Sequence, residues 1–268
     1  QTAGLNCGGF AAPPGTEANN GTEEYNGSGW SNAPNLNTAR GNTKLVGIQT
    51  AGVFFGQGGG GQTQSGVTEE YNGTAWTTVN PMANAINYRS GCGVETALLA
   101  SGGNVPGTNR SNLNEEYDGT NWTAGGDLNT GRHALAGCGA SSTAALAFGG
   151  QPPNLANTEI YDGSSWTEVN DLNEGRQLLG GCGTTTAALA VGGDTPTPTQ
   201  TETWDGTSWT TNGALAVNTY SQGAFGTSTA ALAVGGLPPG TDTSANMRSA
   251  QFWNGNSWSE VSEMANSR

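Results

Sequence analysis

The chain has 268 residues, 45 of them glycine, with 8 Lys or Arg against 21 Asp or Glu and a formal net charge of −13. That acidity opposes non-specific binding to nucleic acid phosphates and anionic lipid, and no apolar run of about 18 residues is present to span a bilayer. Charged residues make up only 11 % and apolar residues 34 %, a composition of short strands and tight turns held in one domain over residues 1–268.

In chain order, the first element is TAGLNCGG at residues 2–9, a short apolar strand closed by a glycine pair. EEYNGSGW at 23–30 follows, two strands around an Asn-Gly turn that supplies positive φ. Leu36 and Arg40 come next, and then TAGVFFGQ at 50–57 restarts the same series. The apolar strand returns as TALLASGG at 96–103, TAALAFGG at 143–150 and TAALAVGG at 186–193 and 229–236. Before two of these, HALAGCG and QLLGGCG read as a further strand of small residues.

Aligned on tryptophan, the copies fall at Trp30, Trp76, Trp122, Trp166, Trp209 and Trp258, intervals of 46, 46, 44, 43 and 49 residues. This is the period of a four-stranded propeller blade. Five residues before each stands Tyr25, Tyr71, Tyr117, Tyr161, Trp204 or Trp253, and six residues after each comes Leu36, Met82, Leu128, Leu172, Leu215 or Met264. The unit, with strands a to d, is ALAGCG, TAALAFGG, TEIYDG and SWTEVN, and six copies predict an all-β, six-bladed propeller of four-stranded antiparallel blades.

An apolar strand ending in Gly149-Gly150, followed after a variable loop by Tyr161 and then Trp166, resembles the kelch repeat, with a shorter aromatic-to-Trp interval. The resemblance covers essentially the whole chain, and it implies partner binding through the b-c and d-a loops. The sequence opens at strand b and ends after a strand d, so one blade lacks its inner strand within 1–268; the expectation is that the natural chain continues and supplies it.

Up-and-down strands place the b-c and d-a loops on one face, and the b-c loops are the variable, Pro/Gly-rich ones. All eight basic residues map to that face: Arg40, Lys44, Arg89, Arg132, Arg176 and Arg268 in or beside d-a segments, Arg110 and Arg248 in b-c loops. His133, the one histidine, joins them. Arg40, Arg132, Arg176 and Arg268 stand four residues after the Leu/Met, a partial ring interrupted at Ile86 and Thr219. Two readings stand. The arginines meet the recurring Glu23, Glu69, Glu115, Glu159 and Glu202, replaced by Gln251 in the sixth copy; or Arg40, Arg89, Arg132, His133, Arg176, Arg268, Arg110 and Arg248 receive an anionic ligand or a partner's carboxylates.

Cys92, Cys138 and Cys182 share one strand position with Val46 and Phe225, and Cys7 aligns with Val191 and Val234, so the thiols are expected in the core, with no disulfide. One histidine cannot furnish the copper site of a galactose-oxidase-type propeller. No catalytic set, metal site or cofactor is expected, and the protein is read as non-enzymatic. Its Thr, Asn, Gly and Ala richness and near-identical copies resemble repeat proteins of tailed bacteriophages and related bacterial surface proteins. That resemblance implies an extracellular or virion-surface place and a partner that is another virion or surface protein or a glycan. A secreted carbohydrate-binding lectin is the alternative.

Overall fold

A computed structural model describes residues 3–9, 18–41, 44–56, 64–195, 197–237 and 248–265. These form six antiparallel sheets arranged as propeller blades. Blade 1 has β1 (Gly4–Cys7), β2 (Thr22–Tyr25) and β3 (Trp30–Ala33). Blade 2 has β4 (Lys44–Ile48), β5 (Ala51–Phe55), β6 (Thr68–Tyr71) and β7 (Trp76–Val79); blade 3 has β8 (Ser90–Val94), β9 (Ala97–Ser101), β10 (Asn114–Tyr117) and β11 (Trp122–Ala124). Blade 4 comprises β12 (Ala136–Ser141), β13 (Ala144–Phe148), β14 (Thr158–Tyr161) and β15 (Trp166–Val169). Blade 5 comprises β16 (Gly180–Gly183), β17 (Ala188–Val191), β18 (Thr201–Trp204) and β19 (Trp209–Asn212); blade 6 comprises β20 (Gly223–Thr227), β21 (Ala230–Val234), β22 (Ala250–Trp253) and β23 (Trp258–Glu260). Each full blade pairs its strands in sequence order, and blade 1 has three strands among the described residues, with β1 innermost.

The outer hairpins follow from the aromatic spacing. Tyr and Trp five residues apart become direct cross-strand partners, as in Tyr71↔Trp76, and enclose a four-residue turn. Within that turn Asn72 Oδ1 accepts the N–H groups of Thr74 and Ala75, and Gly73 takes φ +89°. The side-chain cap and the glycine together fix the turn.

The core lies between blades. Leu5, Cys7 and Leu36 of blade 1 pack with Phe54, Tyr71 and Trp76 of blade 2, and Cys92 and Leu99 of blade 3 pack with Ala145, Tyr161 and Trp166 of blade 4. At the last junction Phe225 and Leu232 of blade 6 pack against Tyr25 and Trp30 of blade 1. The exchange there pairs a larger side chain with a smaller one. Phe225 replaces the Cys of other inner strands, and Gly4 replaces the facing Ala; a Cβ on Gly4 would lie 2.5 Å from the Phe225 ring. Asn6 Nδ2 also donates to Met264 Sδ at 2.9 Å across this junction.

The inner strand of blade 4 starts two residues later than ALAGCG suggests, at Ala136. Ala134 instead has φ +54°, and Tyr88, Leu178 and Ser221 do the same at +53°, +53° and +60°. The reason is a hydrogen-bonded series around the axis: Ala134 N–H donates to Tyr88 O (3.1 Å), Leu178 N–H to Ala134 O (2.8 Å) and Ser221 N–H to Leu178 O (2.7 Å). Left-handed backbone costs each residue free energy, and the blade-to-blade bonds offset it.

Candidate functional site

The recurring arginines cross from one blade to the next. Arg40 Nη2 lies 2.8 Å from Glu69 Oε1, Arg132 Nη1 3.2 Å from Glu159 Oε1, and Arg176 Nη2 2.7 Å from Glu202 Oε1. Arg89 meets Glu115 in the same way, although it stands three residues beyond the register position held by Ile86. All four arginines are buried, as are their carboxylate partners. Arg176 also donates to Gly192 O and Gln200 O, and Arg40 to Gly56 O and Val67 O. Burial pulls each guanidinium below its ordinary pKa, and the facing glutamate opposes that shift.

Each of these glutamates has a second task. Glu69 accepts the N–H groups of Asn37 and Thr38, Glu115 those of Ala83 and Asn84, and Glu159 those of Asn129 and Thr130. One carboxylate thus joins a guanidinium and a turn of the preceding blade. At the junction of blades 5 and 6, Gln251 Oε1 accepts from Ala216 and Val217 in the same manner. Thr219 there stands in the arginine register and is buried.

Tyrosine hydroxyls form a second series. Tyr71, Tyr117 and Tyr161 donate at 2.7 Å to Glu24, Glu70 and Glu116 of the preceding blades. Burial and those carboxylates raise the phenol pKa values. Where Trp204 replaces tyrosine, Ile160 replaces the glutamate, and Trp204 Nε1 donates to Thr185 O instead. A third series runs from Trp Nε1 to a threonine of the preceding blade: Trp76 to Thr22, Trp122 to Thr68, Trp209 to Thr158 and Trp258 to Thr201. Trp166 finds Asn114 at that place, and Trp166 Nε1 lacks a partner.

The remaining basic candidates differ from the four buried arginines. Arg110 is exposed, and Arg248 forms a half-exposed ion pair with Glu263 at 2.9 Å. Arg268 lies outside the described residues. His133 is buried with its ring 6.1 Å from that of Tyr88, and its Nδ1 has no partner. Burial lowers its pKa, opposed by a backbone hydrogen bond at Asn109, so the ring is neutral at pH 7. Of the described candidates, Arg40, Arg89, Arg132 and Arg176 sit inside blade junctions, and Arg110 and Arg248 stand on separate b-c loops.

Sequence reasoning did not find one cavity. About 690 Å³ in volume, it is lined by residues of several blades, Gly4, Leu5, Lys44, Gly47, Phe225 and Val234 among them.

All four cysteines are buried, with no disulfide between them. Burial pushes the thiols of Cys92 and Cys182 up to about 12. Among the described residues no group of three His, Cys, Asp or Glu is placed to hold a metal ion, and no helix is long and apolar enough to cross a membrane.

No protein-family model matches the chain, and no curated protein matches it.

Proposed function

We propose that this propeller is a non-enzymatic recognition scaffold that binds a protein or glycan through its b-c and d-a loop face. The observation that supports this most directly is the use of the recurring polar groups. Arg, Glu, Tyr, Trp and Thr of the repeat are bonded to the neighbouring blade, and the b-c loops are the part that differs from blade to blade. Rigid frames with variable loops are suited to recognition. The loops also brace one another's blades, since Gln64 Nε2 donates to Asn104 O and Asn154 Nδ2 to Asp194 O.

The kelch-like repeat and the phage-like composition support a place on a virion, in capsid, tail or fibre, or on a bacterial surface. A lectin would present recurring aromatics to solvent; among the described residues the exposed large apolar side chains are Ile48 and Val94, which favours the first reading. The test has two arms. Mass spectrometry of purified virions should detect the chain, and a glycan array should show no binding that Arg110→Ala or a Ser/Gly replacement of residues 152–156 abolishes. Glycan binding lost in those variants, without the chain in virions, would establish the lectin instead.

A further inference from the structure

We infer that the axial rim over blades 3, 4 and 5 takes one neutral sugar residue, whose hydroxyls donate to Asn87 Oδ1, His133 Nδ1 and Gln177 Oε1. The inference rests on the b-c and d-a loop face being the recognition face, and it names the ligand class for the centre of that face. Blades 3, 4 and 5 each have four paired strands, and blade 4 stands opposite blade 1 in a ring of six. The rim there does not involve the edge of β1.

The backbone places the three residues. Each comes just before a member of the left-handed series, Asn87 before Tyr88, His133 before Ala134 and Gln177 before Leu178. Because Ala134 N–H donates to Tyr88 O and Leu178 N–H to Ala134 O, the three follow one another around the axis at one level. Each is also held by a β-bridge to the first b-c residue of its own blade, Asn104, Gln151 or Asp194. Side chains of adjacent blades meet at this level, where the rings of Tyr88 and His133 are 6.1 Å apart.

The fold leaves the polar atoms of this level unused. Asn87 and His133 are only 7 % and 8 % exposed, yet Asn87 Oδ1, His133 Nδ1 and Gln177 Oε1 have no hydrogen-bond partner among the described residues. Two of the three are set as acceptors. Gln177 turns its Nε2 to Asp194 Oδ2 at 3.2 Å and so offers Oε1. The backbone hydrogen bond of His133 at Asn109 raises its pKa, as a ring N–H donor does, and in a neutral imidazole the other nitrogen, Nδ1, then carries a lone pair. The position also changes with each blade, from Asn87 to His133, Gln177 and Tyr220, whereas Arg132 and Arg176 just before it recur.

Buried acceptors select a donor. A carboxylate or phosphate brings none, and an ammonium would exchange its hydration for neutral acceptors alone, at a higher cost than a hydroxyl that finds a partner. Asp194, the carboxylate bridged to Gln177, is exposed and would offset little of that cost. Tyr88, half-buried beside His133, adds an aromatic face that the C–H groups of a pyranose can cover. Hydroxyls on one edge and an apolar face together describe a neutral sugar residue.

The test titrates the 268-residue chain, isotope-labelled on histidine for NMR, with the methyl α-pyranosides of glucose, galactose, mannose and N-acetylglucosamine. Expected is saturable one-to-one binding of at least one of them, with a shift of the His133 Nδ1 resonance. Gln177→Leu and His133→Phe should each weaken that sugar about tenfold or more, and Arg110→Ala should leave it unchanged. Gln177 is half-buried, so its variant keeps the test open if His133→Phe does not fold. No saturable shift with any of the four sugars overturns the inference, as does binding that survives both substitutions, or a crystal structure grown with the sugar in which ordered water alone meets Nδ1 and Oε1. If the sugars fail while the chain is found in purified virions, the sugar site falls and the scaffold reading stands. Turnover of the bound sugar would overturn the scaffold reading and leave the site in place.

Discussion

Thr219 and Gln251 replace together the arginine and the glutamate that join four of the other blade junctions. Gln251 Oε1 keeps the backbone task, accepting the Ala216 and Val217 N–H groups at 2.8 and 3.1 Å. It does so without a negative charge, and no guanidinium lies beside it among the described residues. A carboxylate there would be buried and uncompensated.

Gln251→Glu should therefore destabilise the protein by about 3 kcal/mol, read as a loss in urea midpoint. Adding Thr219→Arg should recover part of that loss. A stable Gln251→Glu single variant would show that the junction is open to water.

Removing one partner of an intact pair has the same sign. Arg176→Ala should cost about 3–5 kcal/mol, because Glu202 stays buried without its counter-ion and the Gly192 and Gln200 carbonyls lose their donor. Combining it with Glu202→Gln should be milder than the single change, since Glu202 Oε2 accepts the Asn173 N–H at 2.8 Å and the carboxamide oxygen can still do so, as Gln251 does at its turn. Urea unfolding of the three variants gives the coupling.

Asn114→Thr combined with Ser101→Ala, since Ser101 Oγ donates to Asn114 Oδ1 at 2.7 Å, should stabilise by about 1 kcal/mol. It gives Trp166 Nε1 the hydroxyl acceptor that Trp76, Trp122, Trp209 and Trp258 already have. A raised Tm, lost again when Trp166→Phe is added, is the expected result.

His133 has its folded pKa held below the ordinary 6.5 by burial. The unfolded chain then binds more protons in the window just below pH 6.5, so stability falls as pH drops through that value and levels off once the folded-state pKa is passed. His133→Gln should flatten the Tm profile between pH 7 and pH 5.

The thiols supply a direct check on the core. With Cys92 and Cys182 raised to about 12 and all four sulfurs buried, a thiol reagent at pH 8 should modify none of them in the native protein and four after denaturation.

The blade period, the strand assignments and the buried thiols were legible because each rests on a spacing that recurs, such as Tyr71 to Trp76. The Arg-Glu meeting was legible as one of two readings; choosing between them requires burial, which a single sequence does not carry. Arg89 escaped the register because a loop can deliver a side chain from either of two positions. Ile86 at the register position is buried as core, and Arg89 reaches Glu115 from three residues further on. The left-handed residues Ala134 and Leu178 were hidden for another reason: their conformation is imposed by hydrogen bonds between blades, and their side chains carry no trace of it.

Each of the four buried ion pairs is shared between two blades, so the repeats of blades 2 to 4 carry an acid that faces backward and a base that faces forward. A duplicated repeat inserted between two others would meet its neighbours with both halves already matched, and charge balance would survive the insertion. The number of blades is then free to change during descent by whole-repeat gain or loss, limited by how the wedges close, and the pairing chemistry is inherited intact. The Thr219 and Gln251 junction is the exception: a repeat cut from that place and moved elsewhere would arrive mismatched.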